Sequence, residues 1–303
     1  MTTAISARGM LREQSVAALF LGLRLYTKHM PFKRGRGAFI RLIEALKRRN
    51  WNPPLMSIGN GLVMEFEPSL IGWTCFETGA WEPEQTAAVS QFFRPGGIVL
   101  NVSANTGYYA LIAAALTAPL GHVHAFEIQS RIIDILRRNV SRNGLERAIT
   151  IVPNGCFSSE KEATIDCPSD PGSARVVFGS AGEPVKLITI DSYASINALS
   201  KVDVVLIDAE GADFEILKGA HTVLRRFRPV VMAEAHHLEA FGGTERQMIE
   251  FMSQLGYSVS TIQGEFSRDL LFLPSTDWPA KPRESLNKQP QSPGLEEWTK
   301  NSW

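Results

Sequence analysis

Gly97-Ile98-Val99-Leu100-Asn101-Val102-Ser103-Ala104-Asn105-Thr106-Gly107-Tyr108-Tyr109 decides the fold. A short β-branched run ends in small and amide residues, then passes into an apolar, Ala-rich stretch. That order predicts a strand, a tight turn and a helix N-terminus. In open α/β sheets, ligands bind where such turns leave the carboxyl ends of the strands.

Working outward, strands and helices alternate. Strand Ile98–Val102 leads to helix Tyr108–Thr117, and strand His122–Phe126 to helix Ser130–Asn143, which Gly144 ends. Strand Ile149–Val152 precedes a β-rich region over 156–190. Strand Val202–Ile207 leads to helix Asp213–Phe227, and strand Pro229–Ala235 to helix Thr244–Leu255. Strands Tyr257–Ile262 and Leu270–Leu273 follow one another with no helix between them. The pattern predicts an α/β, Rossmann-like fold with a mainly parallel sheet covered on both faces and an antiparallel pair at one edge.

Four segments are expected. Residues 1–52 form a basic helical cap, and residues 53–96 a β-hairpin and a helix leading into the core. In that second segment Ser57–Pro68 reads as the hairpin, Ile71–Phe76 as an extension of its sheet, and Pro83 opens the helix. The main domain is 97–273. Residues 274–303, rich in Pro, Lys, Ser, Asn and Gln, are expected to be a disordered tail.

The 303 residues carry zero formal net charge and are 44% hydrophobic. That balance argues against a general nucleic-acid binder. The charge is uneven: residues 1–50 hold eleven basic side chains and two acidic ones. This face is either a solvated cap or a surface for anionic lipid or a phosphorylated, nucleotide-linked acceptor. Three widely spaced cysteines form neither a disulfide framework nor a zinc pattern, which fits a reducing cytoplasm. Val16–Leu23 is too short to cross a bilayer, which takes about 20 residues.

The turn lacks the glycines of a dinucleotide fingerprint. Ser103, Asn105 and Tyr108 occupy the positions where those glycines belong, so a pyrophosphate cradle is disfavoured. A phosphate-free ligand held through an amino acid moiety fits better, and S-adenosylmethionine is such a ligand. Glu127 follows the second strand about 20 residues on, where an acid usually binds both ribose hydroxyls. Asp208 and Glu210 end the fourth strand, with Gly211 to turn the chain and Asp213 to cap or complement the next helix. Glu234, His236 and His237 end the fifth.

Asn101-Val-Ser-Ala-Asn-Thr-Gly-Tyr-Tyr, Ala125-Phe-Glu, Leu206-Ile-Asp-Ala-Glu-Gly-Ala-Asp, Lys218-Gly-Ala, Arg228-Pro and Glu234-Ala-His, in that order, resemble an FkbM-type methyltransferase. The resemblance covers about Glu82 to Leu273. It implies the S-adenosylmethionine-dependent version of the doubly wound sheet, with seven strands, and O-methylation of a sugar or natural-product hydroxyl. It places Asn101, Ser103, Asn105, Gly107, Glu127, Asn154 and Asp208 at the cofactor. Asn105 on propensity alone is a turn former. Glu82 matches an acidic family position, which approaches the cofactor or simply caps its helix.

The chain departs from the family pattern at Asn101, normally Asp, and at Ser103, normally Gly. Asn keeps an acceptor oxygen but loses a charge, and Ser is unfavourable if φ is positive there. These departures motivate an alternative: a catalytically impaired or non-catalytic binding protein on the same fold. In the enzymatic reading His236 is the general base, and Asp208 or Glu234 orients it or binds substrate. The other reading of the histidines is backbone hydrogen bonding. Asp208, Glu210, Glu234 and His236 are metal-ligand types, but carboxylates at neighbouring strand ends arise in this fold without metal, so no metal is expected.

Overall fold

The structure, a computed structural model, describes residues 55–66, 75, 80–166, 174–179, 182–264 and 268–275. The basic cap at 1–52 and nearly all of the tail at 274–303 lie outside these residues. Of the expected Ile71–Phe76 extension only Cys75 is described, and it is helical rather than extended.

A two-stranded hairpin comes first, β1 (Met56–Ser57) with β2 (Val63–Met64), antiparallel as its Gly59-Asn60-Gly61 turn predicts. Helix α1 (Pro83–Ser90) follows, with Pro83 in its first turn. The main domain then runs β3 (Ile98–Val102), α2 (Tyr108–Thr117), β4 (His122–Phe126), α3 (Ser130–Arg142) and β5 (Ile149–Val152). Strands β6 (Gly155–Cys156), β7 (Lys161–Asp166), β8 (Arg175–Val177) and β9 (Glu183–Ile188) form a separate four-stranded sheet. Helix α4 (Ile190–Ile196), β10 (Val204–Ile207), α5 (Asp213–Lys218), α6 (His221–Phe227) and β11 (Val230–Glu234) come next. Helix α7 (Glu245–Gln254), β12 (Tyr257–Gln263) and β13 (Arg268–Pro274) complete the domain.

The main sheet has seven strands in the order β12-β13-β11-β10-β3-β4-β5. Pairing is parallel from β11 to β5, and β13 runs antiparallel to both β11 and β12. The expected fold class is therefore the observed one. Val99, Val204, Leu206, Val230 and Met232 face one apolar layer with the nearly all-buried α2; Leu100, Val102, Val205 and Ile207 face the other with α5, α6 and α7. Burial on both faces is why the central strands are continuous apolar runs.

Two local readings change. The segment read as strand to Ile190 ends at Ile188, and Thr189 caps α4 by accepting from Ser192 N at 2.9 Å. Asp191 of that helix then caps α6, accepting from Thr222 N and Val223 N, both at 2.8 Å. The helix expected over Asp213–Phe227 is two helices, broken at Gly219. A Cβ there would lie 2.0 Å from the Phe157 carbonyl oxygen, so a loop from the second sheet passes through the break. No helix among the described residues is long and apolar enough to cross a membrane.

Candidate functional site

Register gathers the polar residues. Val102 pairs with Phe126 and Ile207, Ile207 with Ala233, and Glu234 with Asp269. The residues just past these pairs therefore stand level along one edge: Glu127, Ser103, Asp208 and Glu234. Asp269 joins them because β13 runs backwards, which brings its beginning to the edge where its neighbours end. A cavity opens at this edge. Its wall includes Trp81, Glu82, Asn101, Ser103, Asn105, Thr106, Tyr108, Tyr109, Glu127, Asp208, Glu210 and Asp269.

The turn after β3 forms its floor. Ser103 (φ 57°) and Asn105 (φ 50°) are both left-handed, and Gly107 (φ 102°) opens α2. Ser103 does have positive φ, the condition under which serine is unfavourable, so it sits where glycine is the unstrained choice. Glu127 is buried and organises this turn. Its Oε2 accepts from Asn105 N at 2.9 Å, and its Oε1 accepts from Ile128 N and Gln129 N at 2.8 and 2.9 Å. Burial raises the Glu127 pKa, and the three backbone donors pull against that rise. Asn101 is 3% exposed, in a row with Leu206 and Met232, and its Oδ1 has no hydrogen-bond partner. A buried acceptor without a donor is costly and points to a missing partner on the cavity side.

The opposite wall is acidic. Glu82, from the N-terminal segment, is left-handed (φ 44°) and accepts from Tyr109 Oη at 3.0 Å. Asp269 accepts from Gln85 Nε2 at 2.8 Å. Gly211 (φ 97°) carries the chain past Glu210 (φ 50°); a Cβ on it would meet the His237 carbonyl oxygen at 2.4 Å. The Asp208 pKa is pushed well up by enclosure in protein and then by Glu234, Glu82, Asp269 and Glu210. Its side chain opens to the cavity, so the neighbouring carboxylates are the firmer cause. Glu234 is raised as well, by burial first and then by Asp213, with Asp208 hydrogen bonding against it. Among the described lining residues there is no Lys or Arg.

Of the expected site residues, Asn101, Ser103, Asn105, Glu127 and Asp208 share this cavity. Asn154 lines a smaller adjoining cleft with Ser103 and Glu127. Gly107 is not in the wall; a Cβ there would meet Leu136 Cδ1 at 2.5 Å, so it seats α2 against α3. Glu234 and His236 stand beside the wall rather than in it. His236 Nδ1 lies 3.0 Å from Glu234 Oε1, with the His236 side chain exposed. Asp213 is the first residue of α5, not its cap, and its Oδ1 accepts from Ala209 N at 3.4 Å. Asp269 was not foreseen. The sequence signal for it is the predicted antiparallel last strand, whose first residues must share the edge where β11 ends.

The family model described as the Methyltransferase FkbM domain matches residues 101–259, just over half of the chain. Among characterised proteins, the protein-L-isoaspartate O-methyltransferase of Methanothrix thermoacetophila is 32% identical over 81 residues. That match covers 27% of this chain and 39% of the relative, so the similarity spans well under half of the relative's length. Methyltransferase FkbM from Methylobacillus flagellatus is similar at TM-score 0.43 and 14% identity, over 58% of this chain and 43% of that one. Fibrillarin from Aeropyrum pernix, solved with natively bound S-adenosyl-L-methionine, is similar at TM-score 0.41 and 11% identity, over 63% and 75%.

Proposed function

The chain belongs to the FkbM methyltransferase family, and from that premise we propose that it is an S-adenosylmethionine-dependent O-methyltransferase acting on a sugar or natural-product hydroxyl. The observation that carries this reading is the buried, unpartnered Oδ1 of Asn101 in the cavity it shares with Glu127 and Asp208. The donor set suits this cofactor. Asn101 Oδ1 offers an acceptor to an ammonium group, and Glu127 Oε2 accepts one backbone bond and retains a lone pair for a ribose hydroxyl. The carboxylates favour a ligand with net positive charge. Bound there, S-adenosylmethionine supplies an electrophilic methyl group.

The residues of the chain do the rest. Glu127 holds the turn in shape, so that the binding groups are oriented before the ligand arrives. Glu234 Oε1 accepts from His236 Nδ1–H, which leaves His236 Nε2 with a lone pair to take the hydroxyl proton. Asp208, beside Glu234 in register, orients the acceptor. The basic stretch within residues 1–52 serves a phosphorylated or nucleotide-linked acceptor or an anionic lipid surface, and the buried free Cys75 and Cys156 fit the cytoplasm.

A second reading, a binding protein without turnover, is favoured by the left-handed Ser103 and the uncharged Asn101. Calorimetric titration with S-adenosylmethionine and S-adenosylhomocysteine tests both. The enzymatic reading expects binding of both, and labelled methyl transfer to a hydroxyl in an acceptor panel. Binding with no transfer across the panel favours the second reading, and no binding at millimolar ligand overturns the site assignment.

A further inference from the structure

Asn139 of α3 and Asn143, which caps its C-terminus one turn on, together behave as the edge of a strand. Asn143 Oδ1 accepts from Val63 N at 2.9 Å, and its Nδ2 donates to the Val63 carbonyl at 2.7 Å. Asn139 repeats the pattern on Glu65: its Oδ1 accepts from Glu65 N at 2.8 Å, and its Nδ2 donates to the Glu65 carbonyl at 2.7 Å. The spacing allows this match. Four helical residues rise roughly 6 Å and two extended residues roughly 6.8 Å. Arg138 and Arg142 clamp the Glu65 carboxylate from outside, each at 2.7 Å.

Asn139 reaches further. It is fully buried, and its Nδ2 also donates to the Thr106 carbonyl at 2.8 Å. Thr106 lies between Asn105 and Gly107 in the floor of the cavity. One amide group thus holds two backbones, the hairpin and the cofactor turn. Asn143 holds the hairpin and, through Nδ2, the Asn139 carbonyl at 2.7 Å, but makes no bond to the turn.

We propose that Asn139 is a positioning residue that couples docking of the N-terminal hairpin to the shape of the cofactor turn. The coupling rests on the reading of that turn as the S-adenosylmethionine site. Because coupling between two sites is reciprocal, a ligand that orders the turn also tightens the hairpin, and a docked hairpin favours the ligand. The segment ahead of the main domain, which also supplies Glu82 to the wall, is then part of the binding machinery rather than an appendage.

Amide hydrogen exchange and calorimetry on the full chain test this, with Asn139→Ala, Asn139→Asp and Asn143→Ala. Asn139→Asp keeps volume and acceptor but loses both donations. Without ligand, the Asn139 variants should speed exchange at 63–65 and at 106–108, whereas Asn143→Ala speeds it at 63–65 only. S-adenosylmethionine affinity should fall about tenfold in the Asn139 variants and by clearly less in Asn143→Ala, which loosens the hairpin but leaves Asn139 on the Thr106 carbonyl. In the unaltered protein the ligand should slow exchange at Val63 and Glu65. Equal effects of the Asn139 and Asn143 variants on the turn, or no ligand effect at Val63 and Glu65, would overturn the proposal. If the Asn139 variants do not fold, exchange in the unaltered protein decides it. If the unaltered protein binds no S-adenosylmethionine, the functional reading fails, and the ligand-free exchange pattern still decides the coupling.

Discussion

The two halves of the cavity edge hold acids in opposite ways. On the β4 side Glu127 is buried, and three backbone N–H groups satisfy its carboxylate. On the β10, β11 and β13 side Asp208, Glu210, Glu234 and Asp269 gather with Glu82; side chains rather than backbone meet them, with Glu82 accepting from Tyr109, Asp269 from Gln85, and Glu234 lying 3.0 Å from His236 Nδ1. A carboxylate ringed by backbone donors shapes a loop. Carboxylates enclosed beside other carboxylates hold their protons more tightly, as Asp208 and Glu234 do. The same residue type is satisfied by backbone on one side and clustered with its own kind on the other.

The largest effect expected from this contrast is at Glu127. Glu127→Ala strips three backbone donors of a charged acceptor, so stability should fall by about 3 kcal/mol in urea unfolding. Affinity for S-adenosylmethionine should fall on the order of 100-fold if, as proposed, Glu127 both shapes the turn and accepts from the ribose. Unchanged urea unfolding would break the contrast, because Glu127 would then be no scaffold.

On the crowded side the sign reverses. A carboxyl group whose pKa is raised in the folded state binds its proton more tightly there than in the unfolded chain. Its favourable contribution is complete below the unfolded pKa and is lost as pH rises through the folded one. Asp208 is raised in this way. Asp208→Asn should therefore stabilise the protein more at pH 8 than at pH 5, by about 1 kcal/mol at the higher pH once solvent screening of the open side chain is allowed for. Thermal melts at the two pH values check it. A loss of stability at pH 8 would mean that the acids are balanced by a cation, and the two sides would no longer differ in kind.

How far each side was legible in the sequence follows from range. The β3 turn and Glu127 lie within one βα unit and its successor, and local pattern gives both. Asp208 and Glu234 end apolar runs, so the parallel order of strands brings them together without knowledge of side chains. Asp269 needs the antiparallel course of β13 to reach the same edge. Asn139 and Asn143 give no local signal at all. Their partners, Glu65 and Val63, lie 74 and 80 residues away, and asparagine on a helix reads as a surface residue until the hairpin is docked. Helix α4 was missed because Val185–Ile190 is a β-branched run until Thr189 caps, and the break between α5 and α6 because its cause is the backbone of Phe157, far along the chain.

The smallest effect concerns the turn itself, where Ser103 and Asn105 share a left-handed backbone but not its consequences. A non-glycine residue there costs roughly 1–2 kcal/mol, and glycine recovers part of that while losing more entropy on folding. Ser103 has no side-chain bond among those described to offset the strain, so Ser103→Gly should raise stability by about 0.5 kcal/mol. Asn105 tolerates the conformation by type, and its Oδ1 accepts from Thr106 N at 2.7 Å. Asn105→Gly should therefore gain nothing or destabilise slightly. Adding Asn101→Asp to Ser103→Gly supplies a charge where an unpartnered oxygen now stands, and S-adenosylmethionine should bind about tenfold more tightly to the double variant. Tighter binding with no stability gain would assign the effect to charge alone. A stability gain with unchanged affinity would show that Asn101 does not face the ligand, leaving the acidic wall as the sole source of its attraction.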